Sequence, residues 1–447
     1  MCAVVGVINS KNASKIAYYA LFSMQHRGQE ASGISVSCNH NITTKKGVGL
    51  VTDVFSDREL QELKGDIAIG HNRYATSGNC SEFDTQPIWA NYSLGQIAIV
   101  HNGNLVNRDE VREELVREGA IFQSSMDTEN ILHLIAKSQK RKLEDRIVEA
   151  LSKTVGAYCF IIMSRSKIFV IRDKYGIRPL SIGRLEDGGY IIASESCAFD
   201  LVGAKFIRDV RPGEMLVFKE GDDEYISKQL FEDVDPRFCA FEYVYLARPD
   251  SIVEGKNVYE VRKKLGETLA SRYDVPKADF VVPVPDSGVP AAMGYAAKSK
   301  IPFEMAIVRN HYVGRTFIEP TQEIRNLKVK LKLNPMAHLF KGKSVIVIDD
   351  SIVRGTTSKK IVELLRGVGV KEVHFRVACP EIKYPCKYGI DTPSYKELIS
   401  ANRTKDEVCR YIGADSLEFL NLNDFIESLG SERKYSLDSF DGDYFVK

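Results

Sequence analysis

The sequence predicts two folded units in one chain: an α+β sandwich over residues 2–235 and an α/β doubly wound parallel sheet over residues 236–430, followed by a polar tail or strap over 431–447. Three observations predict this. The chain has 447 residues, 44% apolar and 27% charged, enough to bury large cores and too long for one ordinary domain. Up to about Asp235 short β-branched runs dominate and helical patterns come in separate blocks, as in layered antiparallel sheets with helices outside. Beyond Asp235 strand and helix alternate, and the strands lack a polar face, as a parallel sheet covered on both sides requires.

In the first unit, Ala3 to Ile8, Ile67 to Gly70, Ile97 to His101 and Tyr158 to Met163 read as strands. Ile16 to Gln25, Thr128 to Lys137 and Arg146 to Thr154 carry helical periodicity. In the second unit a strand Phe280 to Val284 leads into a helix Gly288 to Ala297. A strand Ser344 to Ile348 leads into a helix Thr356 to Leu365 and a further strand Glu372 to Cys379. Binding loops of such a sheet follow the C-terminal ends of its strands. No repeat of fixed period and no low-complexity segment is present.

Lys and Arg number 61 against 60 Asp and Glu, so the broad basic footprint of a nucleic-acid binder is missing and any anion site is local. No run of 18 apolar residues occurs, and MCAVVGVINS lacks the basic-then-apolar layout of a signal peptide. The expectation is a soluble, cytoplasmic chain with no membrane partner. Nine cysteines are scattered with no CxxC pair, which suits free thiols in a reducing compartment.

The sharpest signal is VIVIDDSIVRGTT, Val345 to Thr357. A buried apolar strand ends in Asp349 and Asp350, and a turn of small and hydroxyl residues then enters a helix. Backbone N–H groups from Ser351, Arg354, Gly355, Thr356 and Thr357 can face a phosphate at that helix N-terminus. The vicinal carboxylates can take two adjacent sugar hydroxyls, directly or through Mg²⁺. An ordinary capped strand-to-helix turn needs less than this pattern. The segment resembles the phosphoribosyl diphosphate signature of type I phosphoribosyltransferases.

VVPVPDSGVPAAMGYA supports it: Asp286, Ser287 and Gly288 form a tight turn before a helix, with amides for a diphosphate and a hydroxyl for a metal. Between the two lies NHYVGRTFIEPTQEIRNLKVK, carrying Arg315, Arg325 and Lys328. It reads either as a solvated loop or as a lid that closes over the sugar diphosphate and excludes water.

Removal of Met1 makes Cys2 the first residue, and a terminal α-amine with a pKa near 8 can serve as base for its own thiol. A glutamine substrate then needs a cation for its carboxylate, an anion for its α-amine and donors for a tetrahedral oxyanion. Arg73, Asp127 and the Asn102 side chain with the Gly103 amide fill those roles, within GHNRYATSG, MDTEN and HNGNLVN. His26, His71 and His101 lack the spacing of a metal site and read as structural.

Together these motifs resemble the amidophosphoribosyltransferase family. The likeness runs from Cys2 to about Leu420 on Cys2, QHRGQE, GHNRYAT, HNGN, MDTEN, RDKYGIRPL, ASES, VRPGE, ARPDS, PVPDSG, GRTFIEPTQ and VIDDSIVRGTT. The resemblance implies an N-terminal-nucleophile (Ntn) glutaminase domain of α-β-β-α layers, followed by a type I phosphoribosyltransferase domain. It implies a glutamine-dependent glycosyltransferase making 5-phosphoribosylamine from glutamine and phosphoribosyl diphosphate, at the first committed step of purine synthesis, with ammonia passing between domains. Carried over by motif, Cys2 is the nucleophile, Arg73 and Asp127 hold glutamine, Asn102 and Gly103 form the oxyanion hole, and Ser287, Asp349 and Asp350 surround Mg²⁺. A homodimer or homotetramer inhibited by purine nucleotides is implied as well.

The sequence departs from the family at two places. Many members hold a [4Fe–4S] cluster on four cysteines; here Cys239 and Cys386 match two positions, and Ser436 and Ser439 stand at the other two. Fe–S clusters are held by thiolates, so no stable cluster is expected. Ala3 stands where the family commonly has Gly. Two competing readings stay open on residues alone: a glutaminase serving another acceptor, such as a sugar isomerase or asparagine synthetase domain, and a non-catalytic sensor of phosphoribosyl diphosphate or purine nucleotides.

Overall fold

The structure, a computed structural model, describes residues 1–74, 81–310, 333–390, 392 and 394–446. Strands of the first unit are β1 (Ala3–Ile8), β2 (Ala31–Cys38), β3 (Asn41–Val48), β4 (Ile67–Arg73), β5 (Ile88–Tyr92), β6 (Gly95–Leu105) and β7 (Gly156–Ser164). They continue with β8 (Lys167–Arg172), β9 (Ser181–Arg184), β10 (Tyr190–Ala193), β11 (Lys205–Asp209), β12 (Glu214–Lys219) and β13 (Ile226–Gln229). One antiparallel sheet runs β11, β9, β10, β1, β4, β2, β3, and the other β13, β12, β8, β7, β6, β5.

The period-2 alternation of side chains explains why these strands show no polar face. In β1, Val4 and Ile8 point between the sheets and meet Ile161 of β7 and Val170 of β8. Ala3, Val5 and Val7 point the other way, onto Ala17 and Leu21 of the helix Ala13–Ser23. In the second sheet Ile99 and Phe160 face Ile131 and Ile135 of the helix Asp127–Lys137 and Leu151 of the helix Leu143–Ser152. The result is four layers, α-β-β-α. Both faces of the central strands β1, β4, β7 and β10 are covered, so even antiparallel strands read there as continuous apolar runs, while the edge strands β3, β5, β11 and β13 stay partly or fully exposed. Each buried Val, Leu or Ile contributes about 1.5–3 kcal/mol.

The second unit is a four-stranded parallel sheet in the order Phe280–Pro283, Ser344–Asp349, Glu372–Val377, Ser416–Phe419, with Phe303 bridging to Val281. The apolar stripe Val258, Val261, Leu265, Leu269 of the helix Val258–Arg272 belongs to its core. The polar-looking C-terminal segment is a packed strap: Tyr435–Ser436 pairs in parallel with Phe238–Cys239, and Tyr435, Phe440 and Val446 are buried in that same core. Those three apolar anchors recur too irregularly to read as an element.

RDKYGIRPL is the seat of one unit on the other. Arg172 is fully buried, donates to the carbonyls of Arg178, Gly176 and Val210, and pairs with Glu254 at 2.7 Å. The backbone amides of Arg237 and Cys239 donate to the carbonyls of Tyr175 and Ile177 at 2.7 and 3.1 Å. Among the described residues no helix is long and apolar enough to cross a membrane.

Candidate active site

Antiparallel pairing of β1 with β4 sets Ala3 opposite Asn72, so the next step of the register brings Cys2 alongside Arg73. The Cys2 thiol lies 4.0 Å from the carbonyl oxygen of Tyr74, and its own carbonyl accepts a 3.1 Å hydrogen bond from Nε of Arg27. Burial pushes the preceding amine, that of Met1, down to about 5.

Across the sandwich, β6 carries His101, Asn102 and Gly103, and Nε2 of His71 on β4 meets the carbonyl of His101 at 3.1 Å. Asp127 opens the helix Asp127–Lys137. Its carboxylate meets Nδ1 of His101 at 3.1 Å and accepts from the Leu105 amide at 3.0 Å. Burial opposes ionisation of both partners, but their mutual attraction prevails: the Asp127 pKa falls below the usual carboxylate value and that of His101 rises.

Polar atoms are left over at this end of the sandwich. Nε of Arg73, Nε2 of Gln86, Nδ1 of His71 and both amide atoms of Asn102 are buried without a hydrogen-bond partner among the described residues. Each such atom costs about 1–3 kcal/mol, and their convergence marks a place for a polar ligand. Asn102 is 1% exposed.

The second centre lies at the C-terminal ends of the parallel strands. Asp349 ends its strand and Asp350 follows; both are buried. Burial raises both pKa values above the ordinary carboxylate range, and the Asp350 charge adds to it for Asp349. The hydroxyls of Ser287 and Ser351 donate to Asp350. Gly288 precedes the helix Val289–Ser299, and Gly355 precedes the helix Thr356–Gly367, so two helix N-termini open near the acidic pair. Thr356 begins that second helix and Thr357 follows it. Asp286 pairs with Arg309 at 2.5 Å and Arg354 with Glu397 at 3.2 Å. Arg315, Arg325 and Lys328, expected in a lid, lie outside the described residues. No group of three or more His, Cys, Asp or Glu forms a metal shell among the described residues.

Several residues had no role in the sequence reading. Arg27 pairs with both Glu195 (2.5 Å) and Glu242 (2.9 Å), all three side chains fully buried. Glu195 also accepts from Ser251 at 2.7 Å and from the Arg248 amide at 2.8 Å. Arg262 donates to the carbonyls of Tyr243 and Ala247 at 2.7 and 2.8 Å, and its charge favours ionisation of Asp350. One signal was available for Arg262: it lies four residues after Val258, inside the apolar stripe of its helix. Arg27 and Glu195 lie in QHRGQE and ASES, motifs of the resemblance to which no role was attached, and nothing in the sequence joins them to each other or to Glu242.

Comparison with known proteins decides the family. A glutamine amidotransferase domain model matches residues 71–200 and a phosphoribosyl transferase domain model matches 252–407. Amidophosphoribosyltransferase 2 of Arabidopsis thaliana, a chloroplastic protein, is 49% identical over 100% of this chain and 79% of its own length. The Bacillus subtilis amidophosphoribosyltransferase is 45% identical over 97% of this chain and 90% of its own. The chain belongs to the amidophosphoribosyltransferase family. A solved B. subtilis glutamine phosphoribosylpyrophosphate amidotransferase, complexed with ADP and GMP, superposes with a TM-score of 0.94 at 43% identity, covering 100% of this chain and 98% of that one. As in other members of the family, a glutamine amidotransferase unit precedes a phosphoribosyltransferase unit, and the enzyme is a glutamine-dependent pentosyltransferase.

At the positions where the resemblance implies an iron–sulfur cluster, the chain carries Cys239, Cys386, Ser436 and Ser439. Cys239 is buried and its thiol is pushed up to about 11; burial also raises Cys386 well above the ordinary thiol value. Ser436 donates to Asp438 at 2.7 Å, and Asp438 and Ser439 are buried beside it. With hydroxyls at two of the four positions, this donor set does not fit a cluster that takes four thiolates.

Proposed function

We propose that this chain joins ammonia from glutamine to 5-phosphoribosyl 1-diphosphate, giving 5-phosphoribosylamine, glutamate and diphosphate. The observation that carries the glutaminase half is Asn102: a buried side-chain amide with no partner at either end among the described residues, beside the Gly103 peptide and across the sandwich from Cys2.

After Met1 is removed, the Cys2 amine takes the thiol proton and the sulfur attacks the side-chain amide carbon of glutamine. The oxyanion of the tetrahedral adduct accepts from Nδ2 of Asn102 and the N–H of Gly103. Ammonia leaves with the proton, and water then hydrolyses the thioester to glutamate. Arg73 pairs with the glutamine carboxylate, and Asp127, held rigid by His101 and Leu105, pairs with its α-amine.

In the second unit ammonia attacks the ribose C1 and diphosphate departs. Asp349 and Asp350 orient the ribose hydroxyls, while amides of Ser287 and the Ser351 to Thr357 turn cradle phosphate, with Asp286 and Arg354 at the rim; Gly288, whose own amide donates to the Val284 carbonyl at 3.0 Å, shapes the turn. Mg²⁺ fits Asp349, Asp350 and Ser287, since it needs only one or two carboxylates besides substrate oxygens, and when bound it neutralises diphosphate charge. Arg315, Arg325 and Lys328 belong to the lid in this reading. Purine nucleotides are proposed as inhibitors, supported by the relative solved with ADP and GMP. A homodimer or homotetramer is proposed as the working form.

Replacing Cys2→Ala tests the division of labour. Glutamine-dependent turnover should vanish while ammonia-dependent diphosphate release persists; loss of both in a folded protein overturns it.

A further inference from the structure

The oxyanion strand is gripped by a loop of the other unit. Gly103 has φ +149°, and a Cβ there would lie 2.0 Å from the carbonyl oxygen of Ala157 on β7. On its other side stands Gly389, φ +100°, where a Cβ would lie 2.9 Å from both the carbonyl carbon and the oxygen of Gly103. Gly103 is therefore packed against the backbone of β7 and against a loop of the phosphoribosyltransferase unit, which meets the Gly103 carbonyl, one Cα removed from the peptide that carries the Gly103 N–H.

The Gly389 loop is itself anchored to the glutaminase unit. Nδ2 of Asn104 donates to the carbonyl of Lys387 at 2.8 Å. The guanidinium of Arg178, fully buried, donates twice to the carbonyl of Tyr388, at 2.9 and 2.6 Å. The loop also turns back on itself, with the Tyr388 amide 3.3 Å from the Cys386 sulfur. Fixed donors to a developing oxyanion act through their exact aim, and a misplacement of about 1 Å costs on the order of 10²-fold in rate.

We propose that the Lys387 to Gly389 backbone is a positioning element for the Gly103 donor, so that the glutaminase oxyanion hole is complete only with the second unit in place. This rests on reading Asn102 and Gly103 as that hole. Gly389 is a positioning residue: it touches neither glutamine nor the reacting atoms, and acts by holding the Gly103 carbonyl and Cα, which fix the orientation of the adjoining peptide that carries the N–H.

The test uses the full-length chain, processed at Met1, with Gly389→Ala, Asn104→Ala and Asn102→Ala. Glutamate release gives kcat and KM for glutamine. Phosphoribosylamine formation from ammonia and the rate of Cys2 alkylation by iodoacetamide report on the second centre and on the thiol. Gly389→Ala should lower the glutamine kcat on the order of 10²-fold, and Asn104→Ala about tenfold or less, with KM, alkylation and the ammonia reaction close to the parent values. Asn104→Ala adds no atoms and decides the matter if Gly389→Ala does not fold. An unchanged kcat in the folded variants overturns the proposal, as does a loss shared equally by the ammonia reaction. If Asn102→Ala leaves kcat intact, the oxyanion reading itself fails; if Asn102→Ala lowers kcat and the other two do not, only the positioning role fails.

Discussion

Nε of Arg27 donates a 3.1 Å hydrogen bond to the carbonyl oxygen of Cys2, while its two Nη atoms are held by Glu195 and Glu242. The nucleophile's backbone is thereby tied to a buried ionic triad, and Glu242 reaches it from beyond residue 235, the boundary expected between the units. Breaking a buried pair leaves an uncompensated charge, which costs more than the pair contributes. Arg27→Met should therefore lose about 3–5 kcal/mol of stability in urea unfolding and lower the glutamine kcat.

Acid should attack the same triad. Burial alone would raise the Glu195 pKa, but His26, Arg27 and Ser251 outweigh it and hold the carboxyl well below its ordinary value of 4.5. A depressed carboxylate contributes stability above its unfolded pKa and loses it as pH falls through the folded value. Stability should decline below about pH 4.5, and Glu195→Gln should flatten that decline while lowering the plateau near pH 7, as thermal melts across pH will read.

Asp349 and Asp350 carry the opposite sign. Their raised folded pKa values mean that the native state binds more protons than the unfolded one, so the ligand-free protein loses stability as pH rises from the unfolded value of 3.8 through the folded values. Asp349→Asn removes one of two adjacent buried carboxylates, and its side-chain oxygen can still accept from the Asp350 amide, a bond of 2.9 Å in the parent. The variant should melt higher than the parent at pH 7 without ligand. It should gain little further stability from phosphoribosyl diphosphate with Mg²⁺, unlike the parent.

Asp127→Ala should raise the KM for glutamine by about two orders of magnitude, the scale of losing a buried charge pair. Ammonia-dependent turnover should stay at the parent level. In the same variant the His101 pKa should fall, because burial then acts without its partner; NMR titration of the ring reads this directly.

Iron and acid-labile sulfide should both be far below stoichiometric in protein purified without air. The donors at the cluster position are Cys239, Cys386, Ser436 and Ser439, so two of the four thiolates a cluster takes are missing. Stoichiometric iron would overturn this reading.

Much of the fold was legible because it is written in local patterns. The strand Ala3–Ile8 and the helix Thr356–Gly367 announce themselves within a dozen residues. The strands β2 and β3 did not: ASGISVSC is rich in small and hydroxyl residues, and it is buried because helix and sheet cover both its faces. The candidate site divides in the same way. Asp349 and Asp350 stand next to each other in a motif whose chemistry depends on adjacency, so the sequence displays them.

Cys2 at one end, the acidic pair at a strand terminus and the order of the two units were thus determined by sequence by itself, since a motif read by spacing needs no third dimension. Only the tertiary structure decided what surrounds them. It placed Arg27 between Cys2, Glu195 and Glu242, seated Arg178 on Tyr388, and pressed Gly389 against Gly103, nearly three hundred residues away. Buried ion pairs and backbone contacts depend on which distant surfaces exclude water together, and that depends on the packing of whole sheets, which short-range patterns do not encode.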